Sequence, residues 1–386
     1  MLSRQIAQKL TGLETPFYLS DLGLLRQTLE SVSYESKKYD YQVHYAIKAN
    51  YDDRILAVIR EYGIGIDCAS GNELRKAIEA GFDPKKIVYA GVGKRDKELR
   101  YAIEQQILAI NCESIEELQV LNGLAGEAGR RVDIALRVNP DIDPKTNHCI
   151  DTGQADSKFG ISYEEILENA EAIKALEHLN IIGLHLHIGS QIRELHVFEN
   201  MCNKVNVIVE NLVRLGFTID FVDVGGGLGI NYDVPENEPI PNFASLFAIV
   251  HNYLRVGDRK VHFEFGRSIV GECGELITRV LYNKTTATGR RLAIVDASMT
   301  ELIRPALYGS YHNIENITSE AETSHKYTVV GTACESTDVF DENVSLRKTS
   351  RGDLLTIKSA GAYGMSMASR YNLHDLPGAV YSDDLL

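Results

Sequence analysis

Residues 43–68 read VHYAIKANYDDRILAVIREYGIGIDC. The stretch opens on a run of strand type, 43–47, and closes on a second short run, 65–68. Between them, residues 53–62 have the period of a helix. A strand, a helix and a strand in this order make a parallel pair joined by a crossover. The unit then repeats. Further strand-type runs fall at 87–90, 108–111, 134–138, 181–187, 221–224 and 261–265, with helical segments at 72–80, 114–128, 164–175, 198–215 and 243–254. Eight strands over about 230 residues match a (β/α)8 barrel in number and size. An open, doubly wound sheet is the alternative.

The pattern changes after Gly271. Runs at 276–281, 291–295, 327–330 and 354–358 read as strands joined by turns, punctuated by Gly289, Gly331 and Gly352. The sequence therefore predicts an α/β chain. A TIM-type (β/α)8 barrel occupies residues 25–270. A mostly-β C-terminal domain, of barrel or sandwich type, is built from residues 1–24 plus 271–386. The strand-like Thr15-Pro16-Phe17-Tyr18-Leu19 belongs to the latter.

Composition agrees with a globular chain. Of 386 residues, 44% are apolar and 24% charged, enough to bury a large core without disulfide or metal staples. The net charge of −14, with no Lys/Arg run, argues against a nucleic-acid partner. Cys68, Cys112, Cys149, Cys202, Cys273 and Cys334 form no Cys-x-x-Cys pair, so they read as reduced thiols, not a zinc ribbon. Residues 1–10 lack the apolar core of a signal peptide, and no apolar run approaches the roughly 18 residues of a membrane span. A cytoplasmic location with no membrane partner is expected.

In a (β/α)8 barrel the reactive groups gather at the C-terminal ends of the strands. Taken in order, those ends carry Lys48, Asp67, Arg137, the run His185-Leu186-His187-Ile188-Gly189-Ser190, the run Asp223-Val224-Gly225-Gly226-Gly227-Leu228-Gly229, and Glu264-Phe265-Gly266-Arg267. A lysine after a strand is usually solvated. In a barrel mouth it can lose its proton and attack a carbonyl group. Three consecutive glycines serve tight turns and also let a phosphate approach the backbone, where Ser190 and Arg267 could join. Glu264 needs a cationic or hydrogen-bonding partner, which could be Arg267 or a protonated pyridine nitrogen. His185 and His187 share a strand face; no carboxylate or cysteine cluster in the sequence makes them metal ligands, and a ring stacked on a flat cofactor suits His187 equally. An amine, a stacking ring, a carboxylate and a phosphate cradle together describe a pyridoxal phosphate site with no metal.

The same residues resemble the alanine-racemase-fold group of pyridoxal phosphate decarboxylases, and within it the diaminopimelate decarboxylase family. The resemblance runs from Thr15-Pro16-Phe17-Tyr18 to Met367-Ala368-Ser369-Arg370-Tyr371-Asn372. It implies pyridoxal 5'-phosphate as cofactor and meso-2,6-diaminopimelate as substrate, with L-lysine and carbon dioxide as products. It further implies a homodimer with shared active sites. Lys48, in His44-Tyr45-Ala46-Ile47-Lys48-Ala49-Asn50, would be the amine that carries the cofactor. Asp67, His187, Ser190, Gly225, Gly226, Gly227, Glu264, Phe265, Gly266, Arg267 and Tyr363 would surround it. Cys334, in Cys334-Glu335-Ser336-Thr337-Asp338, would be the proton donor, reaching the site of the other subunit. Arg267, Arg304, Tyr308, Glu335 and Tyr363 would bind substrate.

Four positions depart from the family pattern: Phe265 replaces a usual proline, Ser298 a glycine, Thr337 a small residue and Met365 a polar one. These bear on backbone stiffness and kinetics, not on reaction class. The competing functions are a decarboxylase of another basic amino acid or carboxylated polyamine, and a non-catalytic pyridoxal phosphate-binding homologue.

Overall fold

The structure is a computed structural model and describes residues 4–140, 142 and 157–385; Cys149 lies outside them. The chain forms two compact units. One comprises Leu29–Gly229 and Asn242–Gly266; the other comprises Met1–Thr28, Ile230–Pro241 and Arg267–Leu386.

The barrel of the first unit is built from eight parallel strands: β1 (Gln42–Ala46), β2 (Gly65–Cys68), β3 (Ile87–Tyr89), β4 (Ala109–Cys112), β5 (Val132–Asn139), β6 (Leu179–His185), β7 (Phe221–Asp223) and β8 (Lys260–Phe265). Each pairs with the next, and β8 pairs back with β1, so the sheet closes into a barrel with no edge. The open-sheet alternative is excluded by that β8–β1 pairing, in which Glu264 stands opposite His44.

The crossover helices start where polar caps follow the strands. Asp52 accepts hydrogen bonds from the N–H groups of Arg54 and Ile55 at the start of α1 (Asp53–Glu61), which buries Ile55, Leu56, Val58 and Ile59. Ser70 and Ser114 cap α2 (Gly71–Glu79) and α3 (Ile115–Glu127) in the same way. Such a cap is worth ~1 kcal/mol. The helix predicted over 164–175 is broken. Tyr163–Glu168 and Ala170–Lys174 are separate because Asn169 turns its side-chain amide back onto the Glu165 carbonyl, 2.9 Å away. The strand predicted to reach His187 stops at His185, and the two residues beyond it begin a loop.

Alternation along β8 sorts its side chains. Phe263 and Phe265 pack with Phe243 and Phe247 of the helix Phe243–Tyr253, while His262 and Glu264 face the other way, into the barrel.

In the second unit, one sheet runs in the order Ile314–Asn316, Leu354–Ile357, Gly274–Thr285, Arg291–Val295, Ser324–Val330 and Val339–Arg347. Phe17–Ser20 pairs antiparallel with Gly274–Thr285 and parallel with Gly378–Tyr381. Its core includes Leu276, Val295, Tyr327, Val329, Phe340 and Ile357. Among the described residues no helix is long and apolar enough to cross a membrane.

Candidate active site

In the barrel unit, Lys48 follows β1 on a single 3-10 turn, Ile47–Ala49. Its ammonium donates to Asp67 Oδ2 at 3.0 Å; Asp67 is fully buried, whereas Lys48 is 43% exposed and so open to a ligand. Across the barrel, Glu264 Oε2 lies 3.1 Å from His185 Nε2. Burial alone would raise the Glu264 carboxyl. The positive charge and hydrogen bond of His185, with the charge of Lys48, outweigh it and hold Glu264 well below the usual carboxylate range. Glu264 is therefore an anion.

Asp223 meets the opposite fate. It is wholly buried, and burial followed by the negative charge of Glu264 pushes its carboxyl far up. Oδ1 accepts the Gly225 N–H at 2.9 Å. Two adjacent buried carboxyls cannot both ionise, and here Asp223 keeps the proton. The fold thus brings to His185 two carboxylic residues that sequence spacing does not reveal; one ligand atom each from His185, Asp223 and Glu264 falls within 4.8 Å. The His185–Glu264 hydrogen bond and the Asp223 proton give this set a sufficient reading as a proton-sharing cluster. His44 and His262, in contact at 3.1 Å, are neutral: burial drives their imidazoles down to about 4 and about 2.

The glycine run follows β7. A Cβ at Gly226 would meet the Glu264 carbonyl oxygen at 1.9 Å, and Gly225 and Gly227 have φ of +68° and +106°. Only glycine fits here, which leaves bare backbone beside His187 and Glu264. The Gly226 N–H donates to His187 Nδ1 at 3.2 Å, so this nitrogen is an acceptor and the ring is neutral. Burial and the charges of Lys48 and Arg137 lower its pKa to about 3. Arg137 itself is buried against Glu113 at 2.8 Å. Ser190 is half-buried in the loop beyond β6. The Phe265 side chain is taken up by packing on Phe243, which leaves only its backbone and that of Gly266 for a ligand.

These features fit pyridoxal phosphate. Glu264 Oε1 is buried and has no hydrogen-bond partner among the described residues, an acceptor that a protonated ring nitrogen would satisfy. The triple-glycine cradle suits the phosphate, and Lys48 supplies the amine.

In the second unit, Arg267 and Arg304 are both buried, and each donates to the Tyr232 hydroxyl, at 2.6 and 2.8 Å. The Arg267 guanidinium lies 4.9 Å from the Tyr363 ring centroid. Tyr363 has φ of +58°, a conformation that costs a non-glycine residue on the order of 1–3 kcal/mol and is characteristic of functional sites. Tyr308 is half-buried. Cys334 and Glu335 are exposed on a loop tied down by Asp338, whose carboxylate accepts from the N–H groups of Met299 and Ala333, each at 2.7 Å. The Cys334 N–H donates to Asn372 Oδ1 at 2.8 Å. Sequence reasoning missed Asp223, Tyr232 and His312. Asp223 stood in view beside the glycines, whereas Tyr232 and His312 carry no local signal.

The comparisons agree with this chemistry. Residues 24–271 match the family "Pyridoxal-dependent decarboxylase, pyridoxal binding domain". Diaminopimelate decarboxylase of Bacteroides thetaiotaomicron is 46% identical over 98% of this chain and 98% of its own length. The Aquifex aeolicus diaminopimelate decarboxylase is 40% identical over 93% of this chain and 84% of its own. The crystal structure of diaminopimelate decarboxylase from Helicobacter pylori complexed with L-lysine superposes with a TM-score of 0.92 at 37% identity, covering 98% of this chain and 94% of that one. With the cofactor-domain match and relatives aligned along nearly their whole length, the chain belongs to the pyridoxal-dependent decarboxylases, in the branch that holds the diaminopimelate decarboxylases.

Proposed function

We propose that the chain is a lyase that decarboxylates meso-2,6-diaminopimelate to L-lysine and carbon dioxide, the last step of lysine biosynthesis, with pyridoxal 5'-phosphate as cofactor. The carrying observation is the 46% identity to a diaminopimelate decarboxylase along 98% of both chains. The barrel cluster gives that likeness its chemistry.

Lys48, beside Asp67, would hold the cofactor through its amine nitrogen once that nitrogen has given up its proton. Gly225, Gly226, Gly227 and Ser190 would take the phosphate; for Arg267 and Tyr363 the family resemblance implies cofactor contacts. His187, neutral, offers a ring face. Glu264, kept anionic by His185, would hold a proton on the ring nitrogen. Bound pyridoxal phosphate supplies an electron sink for the pair released when the bond between Cα and the carboxylate breaks. Cys334 then delivers a proton to Cα. Arg267, Arg304 and Tyr308 bind the far carboxylate of the substrate, and Glu335 its far ammonium.

The exposure of Cys334 and Glu335 in a single chain supports a homodimer in which each copy lends these residues to its partner's site. In this reading the enzyme acts in the cytoplasm.

The test is carbon dioxide release by the purified, cofactor-loaded protein from meso-diaminopimelate, ornithine, arginine and lysine. Release from meso-diaminopimelate alone, with L-lysine as product, is expected. Release from one of the others instead would keep the cofactor and overturn the substrate. No release from any of the four would overturn the reaction.

A further inference from the structure

Among the described residues, several buried cations have carboxylate partners. Arg137 pairs with Glu113, Lys94 with Glu117, and Lys358 with both Glu236 and Glu315. Arg304 is 4% exposed, and among the described residues no carboxylate oxygen lies within 4.0 Å of it. Its guanidinium is held instead by three neutral groups. Nη1 donates to the Tyr232 hydroxyl at 2.8 Å and reaches His312 Nε2 at 3.0 Å; Nη2 donates to Ser310 Oγ at 3.3 Å. Nε is buried with no hydrogen-bond partner.

The His312 tautomer is fixed by geometry. Its Nδ1 is 2.8 Å from the Lys358 carbonyl oxygen, which can only accept, so Nδ1 carries the hydrogen. Nε2 faces the Arg304 donor, so Nε2 offers a lone pair and the ring is neutral. Burial and the Arg304 charge agree, lowering the imidazole to about 3. The Tyr232 oxygen receives both guanidiniums, which fills its acceptor positions and sets the two arginines side by side. His312 meets the Tyr232 ring edge-on, at 5.0 Å and 79°.

A carboxylate in place of either neutral group would orient Arg304 equally well and cancel its charge. Neutral acceptors orient it and leave the charge to be used. A buried guanidinium without a counter-anion is costly, and an incoming anion recovers that cost. We infer that Tyr232 and His312 are positioning residues for substrate selection: they aim Arg304 through neutral acceptors so that its charge is reserved for the far carboxylate of the substrate. This rests on the proposed substrate, since it needs a second carboxylate remote from the reacting one.

The experiment uses the cofactor-loaded enzyme. L-Lysine keeps the far carboxylate and ammonium after decarboxylation; 1,5-diaminopentane keeps neither carboxylate. Binding of both is followed by the absorbance of the bound cofactor, and KM and kcat are measured with meso-diaminopimelate. In Tyr232→Phe, which retains the ring but loses the acceptor, L-lysine binding and KM should weaken about tenfold to a hundredfold. Binding of 1,5-diaminopentane, kcat and the cofactor spectrum should stay as in the wild type. His312→Ala should behave likewise, and His312→Gln, which restores an acceptor, should recover much of the loss. Equal weakening of both ligands, or of neither, overturns the inference. So does a His312→Gln variant no better than His312→Ala. Wild-type enzyme that does not decarboxylate meso-diaminopimelate would instead overturn the substrate reading, and is measured first.

Discussion

In the barrel, Lys48 lies 3.0 Å from Asp67, and Glu264 lies 3.1 Å from His185. Every charge there has an opposite charge or a shared proton at hand. In the second unit, Arg304 is surrounded by a phenol, an imidazole and a hydroxyl. Asp67, Glu264, His185 and Arg304 are buried and Lys48 is partly exposed, yet one cluster is neutralised from within and the other is not. The difference teaches what each is for. A compensated cluster can fix protonation states, which the reacting centre requires. An uncompensated cation discriminates, because only a ligand of the right charge relieves it.

The sharpest way to break this contrast is at Lys48. Lys48→Ala should reduce turnover by more than a hundredfold and abolish the absorbance of lysine-linked cofactor. Retained turnover would move the chemistry out of the barrel cluster. Next comes Cys334→Ala, expected to slow turnover by about 10²–10⁴-fold while cofactor affinity is unchanged. Near-normal turnover there would remove Cys334 as proton donor.

Arg304→Ala tests the discriminating half. Its kcat/KM for meso-diaminopimelate should fall on the order of a hundredfold, and the preference for it over L-lysine as substrate should collapse. An unchanged preference would mean that the charge serves folding alone.

The smallest effects belong to Asp223. Asp223→Ala leaves the Gly225 N–H without its acceptor and should cost ~1–3 kcal/mol in unfolding free energy. Asp223→Asn keeps a neutral, hydrogen-bonding group. The raised carboxyl binds its proton in the folded state and loses it on unfolding above the ordinary aspartate range. The unfolded wild type thus binds fewer protons, and wild-type stability falls as pH rises from about 4. The Asn variant lacks this loss and should gain on wild type across that range in paired melting curves. Parallel curves would show that Asp223 is ionised.

The barrel was legible because its signal is local and repeated: apolar runs alternate with helical stretches, and polar caps such as Asp52 and Ser70 mark the helix starts. Lys48, Glu264 and the glycines were legible because they end strands, and strand ends converge. What stayed hidden depends on distant contacts. Asn169 breaks a helix through one side-chain bond to the backbone. Tyr232 lies in the sequence between β7 and β8, yet belongs to the second unit and meets Arg304 seventy-two residues on. His312 matters through its tautomer, which only the Lys358 carbonyl reveals. Phe265, at a position where the family pattern has proline, finds its reason in an aromatic cluster that no strand pattern announces.

The loop that carries Cys334 is anchored mainly through main-chain atoms: the N–H groups of Ala333 and Cys334, and the carbonyls of Glu335 and Thr337, which accept from the N–H groups of Asp338 and Val339. Asp338 and Asn372 supply the fixed side chains. The side chains of Cys334, Ser336 and Thr337 take no part in these anchors, whereas Glu335 Oε1 accepts from the Ser336 N–H at 3.0 Å. Selection, natural or in the laboratory, can vary positions 334, 336 and 337 one residue at a time without first rebuilding the segment that presents them.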